Sequence, residues 1–414
     1  MSIVVQKFGG SSVGSPERMR RVARRIAETA DAGNKVAVVV SAMGDTTDDL
    51  IALAQQLTTR PPAREMDMLL STGEQISISL LAMTLQEMGY AAISLTGRQA
   101  GYHTCGTYAK AKIVAMDSVR VLDELNKGNI VIVAGFQGTD KRGEINTLGR
   151  GGSDTSAVAL AVALEADVCE IFTDVDGVFT ADPRVVRKAW KMPEISYDEM
   201  LEMAVMGALV LQPRSVELAK QYGVKLHVRS SFNHSEGTIV KEVACMYKDL
   251  EKELVVSGVA HDMNVLKTTI FGVPDSPGVA GEIFGRLAAE KINVDMIIQS
   301  GSRDTRQDIS FTTGRDERHK IERILTEIVR QLPAESYMII DTIAKVSVIG
   351  AGMITNPGVA ATTFRTLAGI GCNIDMIATS EIRISCIIDE TKVTEAALAL
   401  HTAFGLDAAP AIDN

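Results

Sequence analysis

The sequence predicts an α/β protein: a three-layer αβα domain around a mainly parallel sheet, followed by two small βαββαβ units. Three observations carry that expectation. Apolar strand-like runs alternate with helical patterns through the first 245 residues. A nine-residue pattern then recurs at an offset of 80. Finally, 414 residues that are 46% hydrophobic and 23% charged suffice for two or three packed domains and exclude wholesale disorder.

In the first region the strand-like runs are Ile3 to Val5, Val36 to Val40, Ala91 to Leu95, Ile130 to Ala134, Glu170 to Thr173 and Lys225 to Val228. Helical patterns separate them, among them Glu17 to Ala30, Leu69 to Met88, Thr155 to Ala166 and Tyr197 to Met206. Short apolar runs joined by crossover helices indicate a parallel sheet covered on both faces. This domain is assigned to residues 1–245, and the charged stretch Lys248 to Glu253 is read as the linker.

The repeat defines the rest. Pro277-Gly278-Val279-Ala280 and Asn293-Val294-Asp295-Met296-Ile297 return as Pro357-Gly358-Val359-Ala360 and Asn373-Ile374-Asp375-Met376-Ile377, with Val for Ile the one difference. Each copy reads as a strand (Val265 to Val273; Lys345 to Ile349), a Pro-Gly turn opening an amphipathic helix, and a second strand starting at the Asn-x-Asp-Met-Ile segment. The first copy continues with a strand near Asp308 to Thr313, a helix from Asp316 to Gln331 and a strand near Tyr337 to Asp341, a ferredoxin-like order. The copies are assigned to 263–343 and 344–414. The second is one strand short after Arg383 to Ile388 and Thr394 to Phe404. Within the segment 246–262, the strand-like Glu253 to Ala260 is expected to fill that place, so that the first unit is inserted between pieces of the second.

Composition narrows the function. Lys plus Arg is 42 against 52 Asp plus Glu, a net charge of -10, which argues against general nucleic-acid binding. Cys105, Cys169, Cys245, Cys372 and Cys386 are far apart, without Cys-x-x-Cys or zinc-like spacing, and read as reduced, buried thiols. No uninterrupted apolar run approaches the roughly 18 residues of a membrane span, and a cytoplasmic location is expected.

Several polar turns follow strands. Lys7-Phe8-Gly9-Gly10-Ser11-Ser12 precedes a helix opened by Pro16, an arrangement that can hold an anion on backbone N–H groups beside a lysine. It is neither a Walker A loop nor a dinucleotide fingerprint. Leu148-Gly149-Arg150-Gly151-Gly152-Ser153-Asp154 leads into a helix that Ser153 or Asp154 can cap, with Arg150 a candidate fork for a carboxylate or phosphate. Thr173-Asp174-Val175-Asp176-Gly177 and, further on, Asp182 and Arg184 place acidic groups and an arginine after a strand, where ligands of open α/β sheets bind. Ser41 to Asp49 follows another strand, and Ser71-Thr72-Gly73-Glu74 interrupts a helical pattern in a form that fits a capping box.

In this order Lys7-Phe8-Gly9-Gly10, Ser71-Thr72-Gly73-Glu74, Gly149-Arg150-Gly151-Gly152-Ser153-Asp154 and Thr173-Asp174-Val175-Asp176-Gly177 resemble the aspartate kinases, which join an amino-acid kinase fold to paired ACT domains. The resemblance covers essentially the whole chain. It implies transfer of the ATP γ-phosphoryl group to the side-chain carboxylate of L-aspartate, the first step toward lysine, threonine and methionine. It implies catalytic roles for Lys7 and Asp154, aspartate near Ser41, Thr47, Glu74, Arg150 and Ser153, and ATP with Mg2+ along Lys7, Phe8, Gly9, Gly10, Thr173, Asp174, Phe179, Asp182 and Arg184. No residue is assigned as a metal ligand. Relatives often carry Tyr at position 179 and Lys at position 209, where this chain has Phe179 and Leu209.

Regulation is expected at the repeats. Asp275, Gly278, Val279, Ala280, Asn293, Val294, Asp295 and Gln299, with Asn373, Ile374 and Glu381 from the second copy, are the positions to which the resemblance points for a lysine or threonine effector held between paired ACT units. A homo-oligomer through ACT pairing is expected, with or without a separately translated C-terminal subunit. Two other readings compete: another amino-acid or carbamate kinase of the same fold, and a catalytically inactive amino-acid sensor using the ACT pair. Intact Lys7, Glu74, Arg150 and Asp154 argue against the sensor.

Overall fold

A computed structural model describes residues 2–206, 210–242, 255–301 and 305–408. Leu209, Cys245 and the stretch Lys248 to Glu253 lie outside the described residues. The chain packs as two units. The first comprises Met1–Phe179, Lys191–Val205 and Leu209–Lys248, and the second takes Thr180–Trp190, Met206–Ala208 and everything from Asp249 onward.

Apolar runs build the first unit as expected. Strands β1 (Ile3–Phe8) and β2 (Lys35–Val40) flank the helix α2 (Pro16–Asp31), which follows one helical turn, α1 (Gly10–Val13). Ser15 caps α2 by accepting the Arg18 N–H, and Pro16 supplies a preset first turn. Then come α3 (Thr46–Leu57), α4 (Ala63–Glu87), β3 (Ala92–Leu95), β4 (Tyr102–Thr104), β5 (Ile113–Met116), α5 (Val119–Asn126), β6 (Ile130–Ala134), β7 (Gln137–Thr139), β8 (Ile145–Thr147) and α6 (Gly152–Ala163). β9 (Val168–Thr173), β10 (Glu194–Ser196), α7 (Tyr197–Val205), α8 (Pro213–Tyr222), β11 (Leu226–Ser230) and β12 (Thr238–Lys241) complete the unit.

The main sheet runs β10-β12-β11-β9-β1-β2-β6-β3, parallel from β11 to β3, with β12 antiparallel to β11. β1 therefore lies between β2, reached through α2, and β9, reached much later in the chain. That change of direction is a topological switch point, and the turns after β1, β2, β6 and β9 open beside it. A smaller sheet, β5-β4-β7-β8, belongs to the same unit. One core cluster takes Phe8, Val38, Val40 and Ile132 from the sheet, Ile26 from α2, and Ile78, Leu81 and Leu85 from α4. Phe8 and Phe172 stack at 4.6 Å. Helix α4 is the one described helix long and apolar enough to cross a membrane, yet its inward face carries Asp67, Ser71, Glu74 and Ser77, all buried. It is a core helix.

Two four-stranded sheets make the second unit. One uses β14 (Leu266–Pro274), α9 (Val279–Ala289), β15 (Ile297–Gln299), β16 (Arg306–Thr313), α10 (Arg318–Gln331) and β17 (Ser336–Ile340), in the order β15-β16-β14-β17. The other uses β18 (Ile343–Ile349), α11 (Gly358–Gly369), β19 (Ile374–Thr379), β20 (Arg383–Asp389) and α12 (Val393–Ala403), with β13 (Gly258–Asp262) on its edge, in the order β13-β18-β20-β19. β13 pairs antiparallel with β18 as β17 does with β14, so a strand from before the first copy occupies the second copy's open edge. The first repeat copy is thereby inserted between pieces of the second. Pairing begins at the Ser257 N–H, bonded to the Ile349 carbonyl, and not at Val255 and Val256, which instead pack into the core.

Two more differences concern boundaries. Asn293 to Met296 precede β15 and are not part of it, because the Asp295 and Met296 backbone groups meet Thr312 before the regular ladder starts. The excursion Thr180–Trp190, assigned from sequence to the first domain, is packed into the second unit: the Thr180 carbonyl accepts the Val259 N–H, and Ala181 and Val186 join Val346 and Leu400 in its core. The two sheets of this unit also meet through two reciprocal ion pairs, Lys267 to Asp375 and Lys345 to Asp295, each 2.6 Å.

Candidate active site

The turn after β1 is held close to the turn after β2. Gly10 accepts the Gly44 N–H, and a side chain at Gly10 would meet the Ala42 carbonyl at 2.8 Å. Gly73 solves the same crowding from the other side, because a Cβ there would come 2.8 Å from the Ala42 methyl. Ser71 to Glu74 therefore does not cap a helix. It lies inside the unbroken α4, and the glycine lets that helix press onto the Ala42 backbone.

This contact places Glu74. Its Oε1 accepts the Ala42 N–H at 3.0 Å, whereas its Oε2 is buried without a partner. Burial pushes the Glu74 carboxyl up to about 7, against the pull of the Ala42 N–H. An unsatisfied buried carboxylate oxygen is costly unless something arrives to meet it, and a ligand ammonium is suited to do so.

On the opposite side of β1, Lys7 extends its ammonium to Asp154 at 2.6 Å. Asp154 and Ser153 occupy the first turn of α6. Neither caps it: the cap is Gly151, at φ 69°, a left-handed geometry that favours glycine. The Gly152 and Asp154 N–H groups bond the Gly149 and Gly151 carbonyls, so what the start of α6 adds to the lysine charge is the positive end of the helix. Arg150 projects from the same turn, 91% exposed, with Asp48 of α3 at 3.6 Å. Ser41 follows β2 with its N–H on the Phe8 carbonyl, and Thr47 is in the first turn of α3.

At the ends of β9 and β11, Thr173 meets Ser231: the Ser231 N–H and hydroxyl both donate to the Thr173 carbonyl, the same hydroxyl reaches Ser12 of α1, and the Thr173 hydroxyl donates to Asp174. Asn233 donates to Asp176. Phe179 is half-buried and bridges to Lys191. Asp182 and Arg184 fall in the second unit, on the Thr180–Trp190 excursion, where they bind each other.

Residues 2–230 match the amino acid kinase family, and residues 267–330 and 346–404 each match an ACT domain. The chain is 52% identical over 410 residues to an aspartokinase of Mycolicibacterium smegmatis, covering 98% of this chain and 97% of that one. It is 51% identical over 406 residues to an aspartokinase of Geobacillus stearothermophilus, covering 98% of both. The chain belongs to the aspartokinase family. It is an aspartokinase in architecture as well: E. coli aspartokinase III in complex with aspartate and ADP, described as the R-state, superposes with a TM-score of 0.82 at 27% identity, over 97% of this chain and 99% of that one. The same enzyme with lysine and aspartate, the T-state, gives 0.73. The inactive-sensor and carbamate-kinase readings fall away.

Sequence reasoning passed over several groups of this aspartokinase that the structure places around the site: the Ala42 N–H, Ser231, Asp67 and Arg214. Asp67, Ser71 and Glu74 stand at i, i+4 and i+7, one polar stripe on a buried helical face, and that spacing was the available signal. The expectation of buried cysteines holds for Cys169, Cys372 and Cys386, whereas Cys105 is exposed, on the loop between β4 and β5, with its sulfur accepting the Lys112 N–H.

Among the regulatory positions, Asp275 follows β14 with its N–H on the Thr305 carbonyl, and Gly278, at φ 98°, caps α9, whose first residues are Val279 and Ala280. Asn293, Val294 and Asp295 lead into β15 and Gln299 ends it. Asn373 precedes β19, Ile374 opens it, and Glu381 lies in the turn after it. β15 and β19 are the corresponding outer strands of their sheets, and Ile297 and Ile377, equivalent in the repeat, are exposed on them.

Proposed function

We propose that aspartate binds between Glu74 and Arg150, its ammonium on the Glu74 carboxylate and its α-carboxylate on the Arg150 fork, with Ser41, Thr47 and Ser153 completing the pocket. The observation that carries this reading is the unpartnered Glu74 Oε2 beside the Ala42 N–H. E. coli aspartokinase III, whose fold this chain shares, has been solved with aspartate and ADP. The nucleotide lies along Lys7 to Gly10 and Thr173 to Asp174. Phe179 borders it, and Asp182 and Arg184 are assigned to it by resemblance alone.

A side-chain carboxylate is already a nucleophile at neutral pH, so the reaction needs no general base. It needs two anions brought together and the charge spreading over the phosphoryl oxygens stabilised. Lys7 meets that charge, Asp154 holds the Lys7 ammonium in place, and the positive end of α6 adds to it. Magnesium would accompany the nucleotide phosphates and supply further positive charge to the transferring group, as it does where a site offers one or two carboxylates and not a protein cage. Asp154 and Asp174 are the carboxylates that would meet it.

Arg150→Ala is expected to raise KM for aspartate by roughly 10- to 100-fold, the worth of a charge-assisted hydrogen-bond fork, with KM for ATP unchanged. Steady-state kinetics with each substrate varied would check this. A rise in KM for ATP alone would redraw the map.

Lysine or threonine, in this reading, binds between ACT units and favours a low-activity arrangement. The exposed outer strands β15 and β19 support side-by-side pairing of ACT units from different chains, and hence a homo-oligomer. E. coli aspartokinase III has been solved with lysine bound. A separately translated C-terminal subunit would pair through the same strands, and the enzyme would act in the cytoplasm. Asp275→Ala is expected to relieve inhibition by lysine or threonine, assayed singly and together, with uninhibited kcat nearly unchanged. A coupling of about 1 to 3 kcal/mol is ordinary for such a link. Wild-type insensitivity to both amino acids, or full inhibition of the variant, would overturn the proposal.

A further inference from the structure

Asp67 is a fully buried carboxylate near the start of α4. A carboxylate in such a place requires hydrogen bonds on its oxygens, and Asp67 has them from two separate segments. The Ala109 N–H donates to both oxygens at 3.1 and 3.0 Å, and Thr147 donates its N–H at 3.0 Å and its hydroxyl at 2.6 Å. Thr147 ends β8 and immediately precedes the turn that carries Arg150 and Ser153. Ala109 holds φ at 64°, uncommon for a residue with a side chain, and its carbonyl lies 3.1 Å from where a Cβ on Gly149 would be.

A second residue holds the same two segments from another element. Arg214, on α8, donates one guanidinium nitrogen to the Leu148 carbonyl at 2.8 Å and the other to the Ala111 carbonyl at 3.0 Å. The Ala111 N–H in turn donates to the Thr147 carbonyl. The base of the Gly149–Ser153 turn is thus fastened to α4 by Asp67 and to α8 by Arg214.

Helix α4 also carries Glu74, about two turns beyond Asp67 on the same face. We infer that Asp67, supported by Arg214, is a positioning residue that sets the separation between Glu74 and Arg150, and with it the fit of the amino acid's ammonium and α-carboxylate. One rigid helix would then fix both ends of the amino-acid subsite, while the nucleotide end, built on β1, β9 and β11, is independent of it. The inference rests on the aspartate assignment proposed above.

The test is kinetic, on the full-length enzyme, with Asp67→Asn and Thr147→Val. Asp67→Asn keeps the shape but turns one acceptor into a donor facing donors. Thr147→Val removes only the hydroxyl and suits a strand end. Asp67→Asn is expected to raise KM for aspartate roughly tenfold or more, with KM for ATP within about twofold, and Thr147→Val to do the same more weakly. A purely structural role would lower the thermal midpoint and the active fraction and leave both KM values alone. Unchanged KM for aspartate, or equal rises for both substrates, would overturn the inference. If Asp67→Asn does not fold, Thr147→Val decides by the same criterion. Wild-type enzyme is assayed alongside: failure to phosphorylate aspartate would remove the functional reading itself, whereas an active wild type with no selective effect in the variants removes the positioning role alone.

Discussion

Lys7→Met is expected to lower kcat by roughly 10²-fold or more while the protein remains folded. The lysine lies on β1 between two parallel neighbours, and its stem is largely buried, so methionine fills nearly the same volume. What disappears is one preorganised charge at the point where negative charge develops. Asp154 loses its partner, but it stays in the first turn of α6, where the positive end of the helix favours a carboxylate. Because Asp154 is itself buried, some loss of stability should accompany the loss of turnover. KM for aspartate should move little, because the amino acid is held elsewhere. Single-turnover rates on folded variant, with a thermal melt as control, separate the two quantities. A near-normal kcat would remove Lys7 from the chemistry.

The fold class could be read from the chain because its signals are local and redundant. Val36 to Val40 or Ile130 to Ala134 can be little other than buried strands, and eight matching residues at an offset of 80 define a repeat whatever surrounds them. The open edge of the second sheet was a matter of counting strands, and Gly258–Asp262 is what pairs there. Less visible was where polar motifs go in three dimensions. Ser71 to Glu74 has the spacing of a capping box, and only the approach of Ala42 to Gly73 shows that the glycine serves close packing inside a helix. Asp182 and Arg184 look contiguous with the Asp174 turn in sequence, yet the chain leaves the first unit after Phe179 and returns at Lys191, a detour that local patterning does not reveal. Asp67 was missed for a related reason: a lone acidic residue in a helix is ordinarily a solvated one, and its buried position follows from Ala109 and Thr147, which are distant in sequence.

The pH dependence of aspartate binding should report Glu74 directly. Its carboxyl is pushed up to about 7 by burial, so in the unliganded enzyme a proton occupies the group over much of the acidic range. An ammonium binds the ionised form. KM for aspartate should therefore be flat above about pH 7 and rise up to tenfold per unit below it, with a proton released on binding near neutrality. The stability of the unliganded protein should follow the opposite course. An unfolded chain gives up the Glu74 proton near its ordinary 4.5, whereas the folded one keeps it to about 7, so this residue's contribution is largest below 4.5 and is lost as pH rises to 7. The loss is on the order of a few kcal/mol. Glu74→Gln removes that dependence: glutamine still accepts the Ala42 N–H but carries no charge at any pH. The variant should lose aspartate binding by roughly 10²-fold or more through the missing ion pair, yet gain thermal stability relative to wild type as pH rises from 5 to about 7, levelling off above it. Melting both proteins across that range, without and with saturating aspartate, checks the two halves together. Parallel melting curves combined with a pH-independent KM would show that the buried carboxylate is not what receives the substrate.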